Sequence, residues 1–254
     1  MMLGESDPVP MTAMTLDAMT SPEVRHEIAA GRDTVVFALG ATEQHGPHLP
    51  LATDALLGDH LAQLVADQLD AFVGPTVRVG CSSHHLEFAG TLSVDDETFH
   101  GIVHGLIHSA ERGGFARIVL IPTHGGNFAP LGAALERLNP ECRIRVSALT
   151  DVRVLLAIAQ TGETEFGVPL SSGGLHAGEW ETSLLMAARP DLVHPDRGEP
   201  GYTGDLDAAL GAIFGQGVHS VAPNGVIGNP TEASPAHGQR YWDRVLEIVL
   251  EAIG

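Results

Sequence analysis

Two hydrophobic patterns alternate along the chain. Short β-branched and apolar runs at Thr34–Leu39 (TVVFAL), 72–79, Arg117–Pro122 (RIVLIP) and 144–149 have the length and composition of buried strands. Between them, apolar residues recur every three or four positions, as at Leu57, Leu61, Leu64 and Val65. This spacing predicts helices over 55–69, 95–112, 128–138 and 152–160, and one opening at 175 and running through Ala188. Further helices are expected over 206–217, over 239–252 and over 15–30, where Ser21-Pro22-Glu23 is a start signal. Residues 1–13 read as a flexible lead-in, and 80–94, 161–174, 195–205 and 218–238 as loops. Strand, glycine-rich turn and helix follow one another as in a βαβ unit, so the expected class is α/β, and 254 residues suffice for a single domain with one substantial core.

Charge narrows the partners. The chain carries 13 basic and 32 acidic residues, a net −19, and every basic residue is arginine. Such a field repels nucleic acid and anionic membranes, and it suits a halophile-like cytoplasm in which salt screens the self-repulsion. Cys81 and Cys142 are too few for a disulfide framework, and no apolar run is long enough to span a bilayer. With no basic and apolar leader at its start, the chain is expected to be cytoplasmic.

Candidate chemistry gathers behind the first strand. The stretch from Ala38 to Asp59, ALGATEQHGPHLPLATDALLGD, holds Glu43, His45, His48 and Asp54, with Asp54 placed as a possible N-cap of the next helix. A second group is His124 with Gly125, Gly126 and Asn127 after the strand at 117–122. A third is His176, Glu179 and Glu181 at a helix start. Each group has a plainer explanation as a surface loop, a turn, or first-turn acids favoured by the helix dipole. Together they form a mixed imidazole and carboxylate set suited to borderline ions, and four or five ligands exceed what one catalytic zinc takes, so two ions are the natural count. The loop with His84, His85 and Glu87 adds candidates, whereas His100, His104 and His108 on one helix face read as packing or solvated. Side-chain nucleophiles are poorly supported, with no G-x-S-x-G and only Cys81 in a Gly-Cys-Ser loop; phosphate loops are absent.

The stretches ATEQHGPHLPLATD (41–54), FAGTLSV (88–94), THGGN (123–127), HAGEWETS (176–183) and NGVIGNPTEAS (224–234) resemble, in order, those of the creatininase (creatinine amidohydrolase) family. The HGGN form and the last stretch are most similar to its mycofactocin precursor peptide peptidase branch. The resemblance implies a three-layer α/β/α sandwich with a mostly parallel central sheet, and two divalent ions per chain (Zn, Mn or Fe). Glu43 and His45 would bind different ions, Asp54 would bridge them, and His124 would complete one shell. Creatininase has a glutamate where this chain has Gly126, so Glu181 is the expected last ligand, with Glu179 the alternative. His176 and Glu181 are the expected catalytic residues, His176 as proton donor to the leaving nitrogen. His85, Gly125, Gly126, Asn127 and Trp180 are expected to contact substrate. The implied activity is hydrolysis of a C–N amide bond by a hydroxide held between the ions, on a short peptide of the mycofactocin precursor type. The alternatives are creatinine, a formamide of flavin or deazaflavin synthesis, or a non-catalytic metal-stabilised binding subunit. A homo-oligomer, with a hexamer as one form, is also implied.

Overall fold

The computed structural model describes residues 14–254 apart from 139 and 141, so the expected lead-in at 1–13 lies outside the described residues. Five strands, β1 (Met14–Thr15), β2 (Thr34–Leu39), β3 (Phe72–Val73), β4 (Arg117–Pro122) and β5 (Arg145–Ala148), form one sheet in the order β1-β3-β2-β4-β5. Every strand pairing is parallel. The helices are α1 (Ser21–Ala29), α2 (Thr53–Leu69), α3 (Asp96–Gly113), α4 (Phe128–Glu136), α5 (Arg153–Thr161), α6 (Leu170–Gly173), α7 (Glu179–Ala188), α8 (Leu206–Gln216) and α9 (Pro235–Ile253).

Strands β2 and β4 pair over their whole length, from Thr34 opposite Arg117 to Leu39 opposite Pro122. Their side chains alternate between two cores, as the period-2 geometry of a strand requires. Val36, Ala38, Val119 and Ile121 face a core shared with α2, α5, α7 and α9. Val35, Phe37, Leu39, Ile118 and Leu120 face one shared with α1, α3 and α4. A sheet buried on both faces explains why these strands read as unbroken apolar runs, and each fully buried Val, Leu or Ile contributes about 1.5–3 kcal/mol. The result is the expected three-layer α/β/α arrangement.

Several boundaries differ from the expectation, each for a local reason. The strand expected over 72–79 stops at Val73 because Gly74 lies against the Phe37 ring and Pro75 has no N–H to give; only a single bridge, Leu39 with Val77, continues it. The helix expected over 15–30 begins at Ser21, since residues 14–15 form edge strand β1 and a capping box of Thr20 with Glu23 starts the helix. Within the expected loop at 161–174 lie a π-turn, Gly162–Phe166, and the short α6. Helix α9 starts at Pro235, where the Ser234 hydroxyl accepts from His237 N at 3.1 Å. Asp54 is not an N-cap: α2 is entered at Ala52, which leaves the Asp54 carboxylate free to turn inward. Among the described residues no helix is long and apolar enough to cross a membrane.

Candidate metal centre

The two central strands end side by side, and both of their exits feed one polar cluster. Asn127 ties the exits together: its amide donates to the carbonyls of Leu39 (2.9 Å) and Gly40 (3.1 Å), and its oxygen accepts from Cys81 N at 3.0 Å. Thr123 Oγ1 donates to the Asp54 carbonyl at 2.8 Å, fastening the first turn of α2 to the end of β4. The 172–178 segment is held by the 224–234 stretch, with Ile227 and His176 bonded in an antiparallel bridge. Ala177, next to His176, has φ of 52°, a left-handed conformation that is uncommon for a residue with a Cβ; its N–H donates to Glu181 Oε2 at 2.6 Å.

Glu43, His45, Asp54, His85, His124, His176 and Glu181 are all at most 8% exposed. The two oxygens of Asp54 face opposite partners. Oδ1 lies 3.3 Å from His45 Nε2, which is also 3.6 Å from Glu181 Oε1. Oδ2 lies 3.4 Å from His124 Nδ1, which is 3.3 Å from Glu43 Oε1. Two donor groups therefore share Asp54: His45, Asp54 and Glu181 on one side, Glu43, Asp54 and His124 on the other. A third, Glu43, His45 and His176, overlaps both.

Each of the two imidazoles that face Asp54 donates its remote N–H to a backbone carbonyl. His45 Nδ1 donates to Glu43 O at 3.1 Å, and His124 Nε2 to Cys81 O at 3.1 Å. A carbonyl only accepts, so in the neutral form of each ring the inward nitrogen is the lone pair, the arrangement that ligating histidines adopt. Gly126 makes the second bond possible, because a Cβ there would collide with both Cys81 O and the His124 ring. Both oxygens of Glu43, His45 Nε2 and Asp54 Oδ2 are buried with no hydrogen-bond partner. Buried polar atoms are almost always satisfied, so a set of orphans gathered in the donor groups around Asp54 fits divalent cations.

Charge leads to the same conclusion. Three buried carboxylates meet here, the chain has no lysine, and among the described residues no arginine pairs with any of them. Burial alone would push the His45 and His124 imidazoles down; Asp54 with Glu181, and Glu43 with Asp54, outweigh it and hold both well above the usual histidine range. Burial would raise Asp54, yet His45 and His124 keep its carboxyl low, and Glu43 is lowered chiefly by His124 against the same burial. Without metal, the cluster holds its charge balance by keeping protons on histidines. His176 moves the other way, lowered by burial and by the charge of His45, and stays neutral.

Other expected site residues lie elsewhere. Glu179, the alternative ligand, points away from the cluster: it accepts from Ser183 Oγ (2.8 Å), His237 Nδ1 (2.8 Å) and Tyr241 OH (2.6 Å). Two residues apart on a helix means about 200° of rotation, so Glu179 and Glu181 face opposite sides of α7. Trp180, expected at substrate, is a core residue whose indole donates to Gly174 O at 3.2 Å. Asn127, also expected there, has its amide engaged in the strand clamp. Gly125 is exposed at the turn. His85 lies with Nε2 3.3 Å from Glu43 Oε1, its ring 4.5 Å from that of His176. His84 stacks on His124 at 5.8 Å, and burial lowers it to about 4. Glu87 is exposed. His100 and His104 pack toward α4, His104 Nε2 donating to Ala134 O at 2.7 Å, which is the packing role expected of that stripe. Burial pushes the Cys81 thiol up to about 12, far from a nucleophile. Gln44 and Ser82, which carry no signal of their own in the sequence, also reach the cluster, and the Nε2 of the candidate His48 meets Thr182 Oγ1 at 2.9 Å.

The family profile named Creatininase, described as creatinine amidohydrolase, matches residues 17–253. A mycofactocin precursor peptide peptidase of Mycolicibacterium smegmatis is 34% identical over 214 residues, covering 82% of this chain and 79% of that protein. The creatinine amidohydrolase of Pseudomonas putida is 30% identical over 196 residues, 70% of this chain and 73% of that protein. Among solved structures, a creatinine amidohydrolase superposes with a TM-score of 0.81 at 24% identity, over 96% of this chain and 97% of that one.

Proposed function

The chain belongs to the creatininase family and is a hydrolase of amide C–N bonds; from that premise we propose that it is a binuclear metallopeptidase acting on a short precursor peptide of the mycofactocin type. The observation that carries the reading is the sharing of Asp54, with one carboxylate oxygen turned toward each donor group. His45 and Glu181 would hold one ion and Glu43 and His124 the other, with zinc, manganese or iron suited to such mixed sets. Two ions of this kind, when bound, supply a nucleophilic water at neutral pH and polarise the substrate carbonyl.

The chain's own residues do the rest. His176 donates Nε2–H to Gln44 O at 2.7 Å, so its Nδ1 is a lone pair, 3.7 Å from Glu43 Oε1. That nitrogen takes the proton of the attacking water and returns it to the departing amide nitrogen, which would otherwise leave as an anion. Burial of the cluster excludes bulk water and strengthens each of these contacts. A peptide is favoured over the flat creatinine ring because both tryptophans are engaged in the core, Trp180 with Gly174 O and Trp242 with Leu184 O at 3.1 Å, so neither offers a stacking face at the cluster.

Elemental analysis of protein purified without chelator tests the reading, together with hydrolysis of a panel of short peptides, creatinine and a formamide. The expected result is close to two ions per chain in the wild type, fewer in Asp54→Ala, and peptide cleavage that chelator abolishes. Metal-replete protein that cleaves nothing in the panel would favour a binding subunit, and full activity in Asp54→Ala would end the binuclear scheme. Light scattering in high salt tests the homo-oligomer implied by the family resemblance.

A further inference from the structure

Gln44 uses every hydrogen-bonding group it has. Its N–H donates to Thr91 Oγ1 (3.1 Å), its Oε1 accepts from Gly46 N (3.0 Å), its Nε2 meets both Gly225 O (3.1 Å) and His85 Nδ1 (3.0 Å), and its carbonyl meets His176 Nε2 (2.7 Å). These partners leave one consistent assignment. A backbone N–H only donates, so the atom facing Gly46 is the amide oxygen; a carbonyl only accepts, so the atom facing Gly225 is the amide nitrogen. That nitrogen gives its second hydrogen to His85 Nδ1, which must be a lone pair, and the neutral His85 ring carries its proton on Nε2. The Gln44 carbonyl in turn requires the proton of His176 on Nε2, leaving Nδ1 bare.

We infer that Gln44 is a positioning residue that gives two neighbouring imidazoles opposite roles beside Glu43, His85 as a hydrogen-bond donor through Nε2 and His176 as an acceptor through Nδ1. The inference deepens the amide-hydrolase reading and rests on it for its consequence. An amide presents an acceptor oxygen and a donor N–H, and a donor ring beside an acceptor ring, 4.5 Å between centroids, matches that pair. An ester lacks the N–H and matches only half. Histidine alone would not secure this, because a free imidazole exchanges its two tautomers.

The test is nitrogen NMR of imidazole-labelled, zinc-loaded protein, with His85→Asn and His176→Asn spectra used to assign the two rings. The wild type is expected to show Nε2-protonated, Nδ1-bare rings at both positions. In Gln44→Glu the side chain accepts where it had donated, so the His85 proton shifts to Nδ1 while His176, held by a backbone carbonyl, keeps its pattern. Zinc content stays at the wild-type level, because Gln44 supplies no ligand. A His85 ring protonated on Nδ1 in the wild type overturns the inference outright, and needs no variant to fold. So does a His85 pattern unmoved in Gln44→Glu. The predicted spectra in a protein that hydrolyses no amide would support the assignment of Gln44 while ending the hydrolase reading, so the two fail separately.

Discussion

Glu179 and Glu181 begin the same helix and are both buried, at 0% and 5% exposure, yet the structure gives them opposite duties, and isosteric replacement separates those duties. In Glu179→Gln the remaining oxygen can still accept from Ser183 and His237, but the new amide N–H faces the Tyr241 hydroxyl, itself a donor at 2.6 Å. Losing that charge-assisted bond costs about 1.5–3 kcal/mol. For a chain of this size the melting temperature should fall by about 3–12 °C, since each kcal/mol is worth about 2–4 °C. Metal content should not change. Glu181→Gln should act on the metal instead: it replaces the carboxylate that faces His45 Nε2 at 3.6 Å, so bound metal falls. Differential scanning calorimetry with and without chelator, beside elemental analysis, reads both quantities on one preparation. If Glu179→Gln sheds metal and Glu181→Gln keeps it, the assignment of the two faces of α7 is wrong.

Three further outcomes follow from the same geometry. Gly126→Ala forces a Cβ against Cys81 O and the His124 ring, so stability should drop by about 1–3 kcal/mol and metal affinity by about 10–100-fold, measured by competition with a chelator; unchanged affinity would mean His124 is not held by that carbonyl. In metal-stripped protein His45 and His124 have raised values in the folded state, so their contribution is complete below the ordinary histidine value of about 6.5 and is lost as pH climbs through the higher folded values. Glu43 and Asp54 are lowered, so theirs is lost only as pH falls through their folded values. Melting curves against pH should show the alkaline loss disappear when zinc is added, because the ion replaces the protons; an alkaline limb indifferent to zinc would count against this. Cys81 should resist thiol reagents at pH 8 in the folded protein and its alanine variant should remain active, whereas loss of activity would reopen a thiol mechanism.

The parts of the fold that were legible in the sequence are those set by local composition. Strands β2 and β4 are bounded as their β-branched runs suggest, because a strand buried on both faces leaves a continuous apolar signature. Strand β3 is shorter than the apolar count at 72–79 suggests, because that count gives no weight to the Gly-Pro pair that interrupts the ladder before it resumes at Val77. In the cluster, Glu43, His45, Asp54, His124 and Glu181 are brought together as the motifs suggest. Glu179 was ambiguous because spacing gives relative phase on a helix but not which side meets the site. Trp180 is a large apolar residue first and a recognition surface only if uncovered, and the core covers it. Gln44 stood unremarked between two marked residues, because its function lies in contacts with residues 41 and 181 positions away.

Helix α7 is gripped on opposite flanks, by the polar cluster on the Glu181 side and by His237 and Tyr241 of α9 on the Glu179 side. Such a helix behaves like a spindle pinned at two points on its circumference. Roll about its own axis is opposed by both pins, because turning either acid out drags the other off its partners. The angular placement of Glu181 toward His45 is therefore secured from the far side of its own helix.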